Sequence, residues 1–225
     1  MSETTSSTHL TSTQLILIPT IITLAVTILR AVGEMQSWPK PWFSTDAGGG
    51  AAVIGISWLP LILGPYFAVK LARNGDGPAS AGKSFTFPIL GLAVLILGGF
   101  VSFKGAQAQA PLQAIMGFVI MAVGGSLCFP GWSALCKILL AYGLAARIPV
   151  AILMIFAISG KWGTHYDALP PGYNGPTGLW PKWVMIGLIP QMLLWVPLTI
   201  VVGSLFGAIA GAIARRGKPA MQTAS

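Results

Sequence analysis

The chain has 225 residues, of which 54% are hydrophobic and 8% charged, with a mean hydropathy of +0.77. A soluble domain carries about 25% charged residues, so this composition excludes an ordinary soluble enzyme and a disordered chain. Only two cysteines are present, which excludes a disulfide-stapled module. The formal net charge of +8 does not imply nucleic acid as a partner. Its thirteen Lys and Arg residues are scattered between apolar runs, the pattern of loops that orient a membrane protein.

A helix that crosses a bilayer core about 30 Å thick needs about 20 mostly apolar residues. By this measure the sequence predicts an all-α, polytopic integral membrane bundle of about six transmembrane helices in a single domain. They lie near residues 15–31, 53–72, 85–103, 112–129, 133–159 and 183–214. Residues 1–14 read as a Ser/Thr-rich polar tail that lacks the basic region of a cleavable signal. Residues 215–225 read as a basic tail. Only Pro130, Gly131 and Trp132 separate the fourth span from the fifth, a hairpin turn; fusion or re-entry here gives a five-span alternative. The last run is long enough to be tilted or broken, and Pro190 or Pro197 supplies the break.

Six spans place Lys70, Arg73, Lys83, Lys137, Arg215, Arg216 and Lys218 on one side of the membrane. Arg30, Lys40, Lys104, Lys161 and Lys182 fall on the other. The excess predicts cytoplasmic termini, and the compact chain fits a bacterial inner membrane. The opposite, outer side gathers Trp38, Trp42, Trp162, Trp180, Trp183, Tyr166 and Tyr173 with several prolines. These rings favour the interface, so residues 35–50 and 160–182 are expected to form two stiff loops that cap the outer face. A weak internal similarity links Trp58-Leu59-Pro60 in the second span with Trp195-Val196-Pro197 in the last, as a duplicated transporter unit would.

Three ionisable residues sit where charge is costly. Arg30 and Glu34 are four apart at the end of the first span, the spacing of a helical ion pair. Arg147 lies near the middle of the fifth, where an arginine costs at least about 2.5 kcal/mol to insert and marks a functional site by default. Depth separates Glu34 from Arg147, and Tyr142 or Gln191 would satisfy a purely architectural arginine. Arg147, Arg30 and Glu34 are therefore the candidate substrate-binding residues.

Gly203, Gly207 and Gly211 repeat every four residues in the last span and form a helix-packing face. They would bind a helix of the same chain, a second copy or a membrane partner. Residues 77–84 match the P-loop pattern GxxxxGK[ST], but a membrane span rather than a strand precedes them, so they read as a connector. Cys128 and Cys136 read as small buried residues, and no metal or cofactor is expected. His165-Tyr166-Asp167 offers acid–base chemistry on a lipid headgroup, with Glu34 as a third member.

The leading expectation is transport or permeation of a small anionic or amphipathic solute through a polar cavity around Arg147. The alternatives are a non-catalytic membrane subunit that assembles through the glycine face and outer loops, and a lipid-modifying enzyme.

Overall fold

The computed structural model describes residues 11–50 and 52–216, with side chains to residue 214. Most of the polar tail, including His9, and the basic tail from residue 217, including Lys218, lie outside the described residues. The fold is a helical membrane bundle, without strands among the described residues.

Helix α1 (Ser12–Met35) starts with a reciprocal cap. The Thr11 hydroxyl accepts from the Gln14 N–H at 3.3 Å, and the Gln14 side chain accepts from the Thr11 N–H at 2.9 Å. Its buried side carries Pro19, Thr23, Thr27, Arg30 and Glu34, while Ile18, Ile21, Ile22, Ile28 and Leu29 are exposed. A soluble helix has the reverse arrangement. Lipid is as apolar as leucine, so no hydrophobic force draws aliphatic side chains inward, and small and polar residues make the helix contacts.

Helix α2 (Leu59–Arg73) begins six residues later than the hydropathy predicts. Pro60 sits in its first turn, where a missing N–H leaves no bond unmade. The preceding apolar residues instead form a turned segment, closed by the Trp58 indole donating to the Val53 carbonyl at 3.1 Å. Hydropathy alone does not separate this segment from helix, because its side chains are just as apolar.

Helices α3 (Ala81–Gln107) and α4 (Pro111–Ser126) form a close antiparallel hairpin. The buried face of α3 repeats at seven residues through Ser84, Gly91, Gly98 and Gly105, with Pro88 and Leu95 between. Gly117 and Gly124 on α4 have the same spacing. A Cβ on Gly91 would stand 2.6 Å from the Gly124 carbonyl oxygen, and one on Gly98 2.6 Å from that of Gly117. The two backbones therefore touch along the pair, with a seven-residue period that belongs to a left-handed supercoil. Ser80 caps α3 by accepting from the Lys83 N–H at 3.4 Å, so residues 77–84 serve as a helix start.

Helix α5 (Ser133–Gly160) matches its predicted span at both ends to within one residue. The last run is a single rod: α6 (Leu179–Trp183), two π-helical turns (Val184–Leu188 and Gln191–Trp195) and α7 (Val196–Arg216). The expected break at Pro190 or Pro197 is absent. Each π turn ends shortly before a proline, at Leu188 before Pro190 and at Trp195 before Pro197. The wider turn makes room for the ring that would otherwise clash with the preceding carbonyl.

Helix α7 is the hub, in contact with α2, α3, α4 and α5, while α1 packs mainly on α5. Gly203, Gly207 and Gly211 face inward. A Cβ on Gly203 would strike Leu139, one on Gly207 would lie 2.7 Å from Leu135, and one on Gly211 3.0 Å from the Trp132 ring. Gly64 of α2 lies against the Gly203 backbone on the same side. The chain's own helices fill this glycine face.

The two ends of the bundle differ. At the basic end the Trp132 indole donates to the Asp76 carbonyl at 2.8 Å, tying the α4–α5 turn to the α2–α3 connection. Near this end Leu135, Leu139, Tyr142, Phe67 and Val201 fill the interior. The other, aromatic end carries residues 36–50, 52–58 and 161–178, which form turns and loops with one short 3-10 helix (Ala47–Gly49), and the interior opens there.

Candidate functional site

A cavity of about 290 Å³ lies beneath the two loop regions of the aromatic end. Its polar lining consists of Thr27, Arg30, Ser57, Arg147, His165 and Gln191, with Tyr166 and Tyr173. Apolar side chains of Ile56, Phe118, Val150, Met154, Ile186 and Leu194 make up much of the remainder. Every segment of the α6–α7 rod that reaches it belongs to the π turns or lies between them, from Met185 to Trp195. The wall is thus built where the helix is locally widened.

Arg147 is 5% exposed. Its guanidinium stacks on the Trp195 ring at 4.7 Å from the centroid, a favourable cation–π geometry. No carboxylate pairs with it among the described residues. Tyr142, an alternative partner in the sequence reading, instead shares a 2.8 Å hydrogen bond with Thr23. Gln191 is 7% exposed, and its Oε1 is buried with no hydrogen-bond partner. A charged donor and an unsatisfied amide therefore meet in one cavity, where leaving either unpaired is costly.

Arg30 and Glu34 are brought together as their spacing predicts, with Nε 2.7 Å from Oε1. They do more than pair. The Arg30 Nη2 donates to the Gly49 carbonyl at 2.5 Å and to the Ser44 carbonyl at 3.3 Å. Gly48, Gly49 and Gly50 all have positive φ, the region that favours glycine, and this tight turn delivers the Gly49 carbonyl. Glu34 accepts from the His165 backbone N–H at 2.8 Å and lies 2.7 Å from its Nδ1. One carboxylate on α1 thereby clasps both segments that roof the cavity, one through Arg30 and the other directly.

Arg30 and Arg147 line the same cavity, whereas Glu34 lies behind its wall and faces a separate recess with Ser37, Trp38 and Lys40. Asp167 is not the partner of His165: it accepts from the Gly163 and Thr164 N–H groups and the Thr164 hydroxyl, closing its own turn. Burial lowers the pKa of His165 below its usual 6.5. The Glu34 hydrogen bond opposes this without reversing it, and the Arg30 cation adds to the lowering. Burial raises the pKa of Tyr166, whose hydroxyl donates to the Thr27 carbonyl at 3.2 Å.

Cys128 and Cys136 are buried and unbridged, and no cluster of metal-ligating side chains occurs among the described residues. Sequence reasoning missed Trp195 and Ser57 as cavity residues; of the two carboxylates it grouped with His165, the structure brings Glu34 to the imidazole, while Asp167 closes its own turn. Trp195 carried a legible signal, since it precedes a proline within a span and stands one membrane crossing from Arg147.

The chain matches no protein-family model, and no curated protein or solved structure is significantly similar to it. Four of its helices are long and apolar enough to cross a membrane, and a shorter apolar helix, α4, accompanies them. Fold and composition together define an integral membrane protein, and its lipid-facing surface implies a bilayer environment.

Proposed function

We propose that this protein binds a small amphipathic anion in the cavity at its aromatic end, with the acidic group on Arg147, and carries it across the membrane. The observation that supports this reading is the state of Arg147: deeply buried, without a carboxylate partner, at the wall of a cavity lined largely by apolar side chains. Arg30 and Glu34 offset one another, so Arg147 leaves the cavity one positive charge in excess. A carboxylate, phosphate or sulfonate would neutralise it, Gln191 would meet a second polar atom, and the aliphatic wall would take a short chain.

The aromatic end faces outward in this reading, by the distribution of basic residues. The cavity is then an outward-open site, and the packed interior toward the basic end is the closed gate of an alternating-access cycle. The two π turns in its wall are the places where the rod has slack to move.

The test uses purified protein in nanodiscs and 1-octanesulfonate, whose charge does not change with pH. Calorimetry should detect binding, and Arg147→Gln should weaken it about 10- to 100-fold, the effect of losing a hydrogen bond to a charged group. Lys161→Gln, an exposed charge outside the cavity, is the control. Uptake of labelled octanesulfonate into proteoliposomes should fall in the same variant. Equal binding by wild type and Arg147→Gln would refute the reading. Parallel titrations with octanoate and octyl phosphate identify the preferred acidic group.

A further inference from the structure

We propose that His165 is the proton site of this cavity: its Nε2 takes up a proton from solvent when an anion binds at Arg147 and returns it when the anion leaves. This inference rests on the anion-binding reading of Arg147 and adds a coupled ion to it.

Glu34 sets which imidazole nitrogen of neutral His165 carries the proton. An ionised carboxylate only accepts hydrogen bonds, and Glu34 receives the Arg30 Nε–H, the His165 backbone N–H and the His165 Nδ1–H. Neutral His165 must then hold its proton on Nδ1 and keep its lone pair on Nε2. Nε2 has no protein hydrogen-bond partner among the described residues, while His165 lines the cavity. The Glu34 side chain is fully buried, so it remains at Nδ1 to steady the ring in either protonation state. This is an oriented base with its free nitrogen at the ligand site.

Charge arithmetic couples this base to Arg147. In the empty cavity Arg30 and Glu34 cancel, and Arg147 is the uncompensated cation. A proton on His165 would add a second cation to a cavity whose wall is largely apolar. Burial and Arg30 already disfavour that form. A bound anion removes the objection, because it compensates Arg147 and attracts the new charge. Linkage requires the converse: protonation of His165 tightens the anion by the same factor.

The other charged and titratable groups around His165 do not supply this response. Arg30 and Glu34 on α1 are paired with one another. Asp167 on its own segment is held by three donors. The Tyr166 ring is tilted against the imidazole, centroids 3.8 Å apart, with its pKa raised by burial, and Tyr173 is likewise raised by burial. Lys40 and Asp46, on the neighbouring segment, form an exposed pair at 3.6 Å. Arg147 on α5 is the anion's partner.

The chain contains only two histidines, His9 and His165, so His9→Ala leaves a single imidazole to observe. The experiment is an NMR titration of histidine-labelled His9→Ala protein in nanodiscs, with and without saturating 1-octanesulfonate. The midpoint of His165 should rise by about one unit with the anion, and the calorimetric affinity should be tighter at pH 5.5 than at pH 8, tending to about tenfold as the pH falls below the anion-free midpoint. His165→Gln should abolish that pH dependence. An unmoved midpoint, with octanesulfonate bound by calorimetry, overturns the proton site and leaves the anion reading intact. Absence of binding at both pH values overturns both.

Discussion

Glu34 has the greatest mechanical consequence of any side chain at the aromatic end. Its carboxylate holds the Arg30 guanidinium and two N–H groups of His165, and through them both segments over the cavity. Glu34→Gln keeps the shape but leaves Arg30 buried without its counter-charge. Breaking a buried pair in this way costs about 3 kcal/mol, expected as a loss of unfolding free energy in a denaturant titration. The double variant Glu34→Gln/Arg30→Gln should cost less than the sum of the two single variants. His165 makes the fold pH-sensitive in one direction. Its folded-state pKa is lowered below 6.5, so the unfolded chain binds the proton more readily and stability falls as pH drops below about 6.5. Thermal unfolding between pH 8 and pH 5 should show that decline in wild type, and a shallower one in His165→Gln. Arg30, Glu34 and Arg147 were legible from sequence because an ionisable residue in an apolar run announces itself. Glu34 and His165 could be grouped by chemistry, but the double clasp of the His165 backbone and ring was not legible, because the two are 131 positions apart and nothing local in either residue encodes that geometry.

Among the elements, the α3–α4 hairpin offers the sharpest contrast between adjacent residues. A side chain on Gly98 must enter the space of the Gly117 carbonyl and the Met121 backbone, whereas the nearest foreign atom to a Cβ on Gly99 is the mobile tip of Met121 at 3.8 Å. Gly98→Leu is therefore expected to destabilise the protein by at least about 3 kcal/mol, the upper range for overpacking. Gly99→Leu should stay within about 1 kcal/mol. Comparable losses of unfolding free energy in the two variants would contradict the backbone contact. The seven-residue spacing of Gly91, Gly98 and Gly105 was present in the sequence, although the four-residue repeat of the last span is more conspicuous. The late start of α2 and the survival of the rod through Pro190 and Pro197 were less legible. Hydropathy records how apolar a segment is, not whether its backbone is helical, and a π turn leaves no mark on composition.

At the scale of the molecule the two ends can be told apart by chemistry. Ser57 lines the cavity and is exposed, and Ala79 is exposed on the α2–α3 connection at the basic end. Cys128 and Cys136 are both fully buried, so the wild-type chain should be nearly silent to a membrane-impermeant thiol reagent. In sealed vesicles Ser57→Cys and Ala79→Cys should be labelled from opposite sides, and octanesulfonate should protect only Ser57→Cys. Labelling of both from one side would rule out a crossing by α2. That helix has 15 residues, about 22 Å at 1.5 Å per residue, against a hydrocarbon core of about 30 Å. Its principal partner is α7, which leaves the ribosome long after it. The α3–α4 hairpin, by contrast, joins neighbours across a short turn and can zip up while synthesis continues. Biogenesis therefore has an order: a short, poorly matched α2 must wait in the membrane for more than a hundred residues, and the bundle closes only when α7 arrives to claim it.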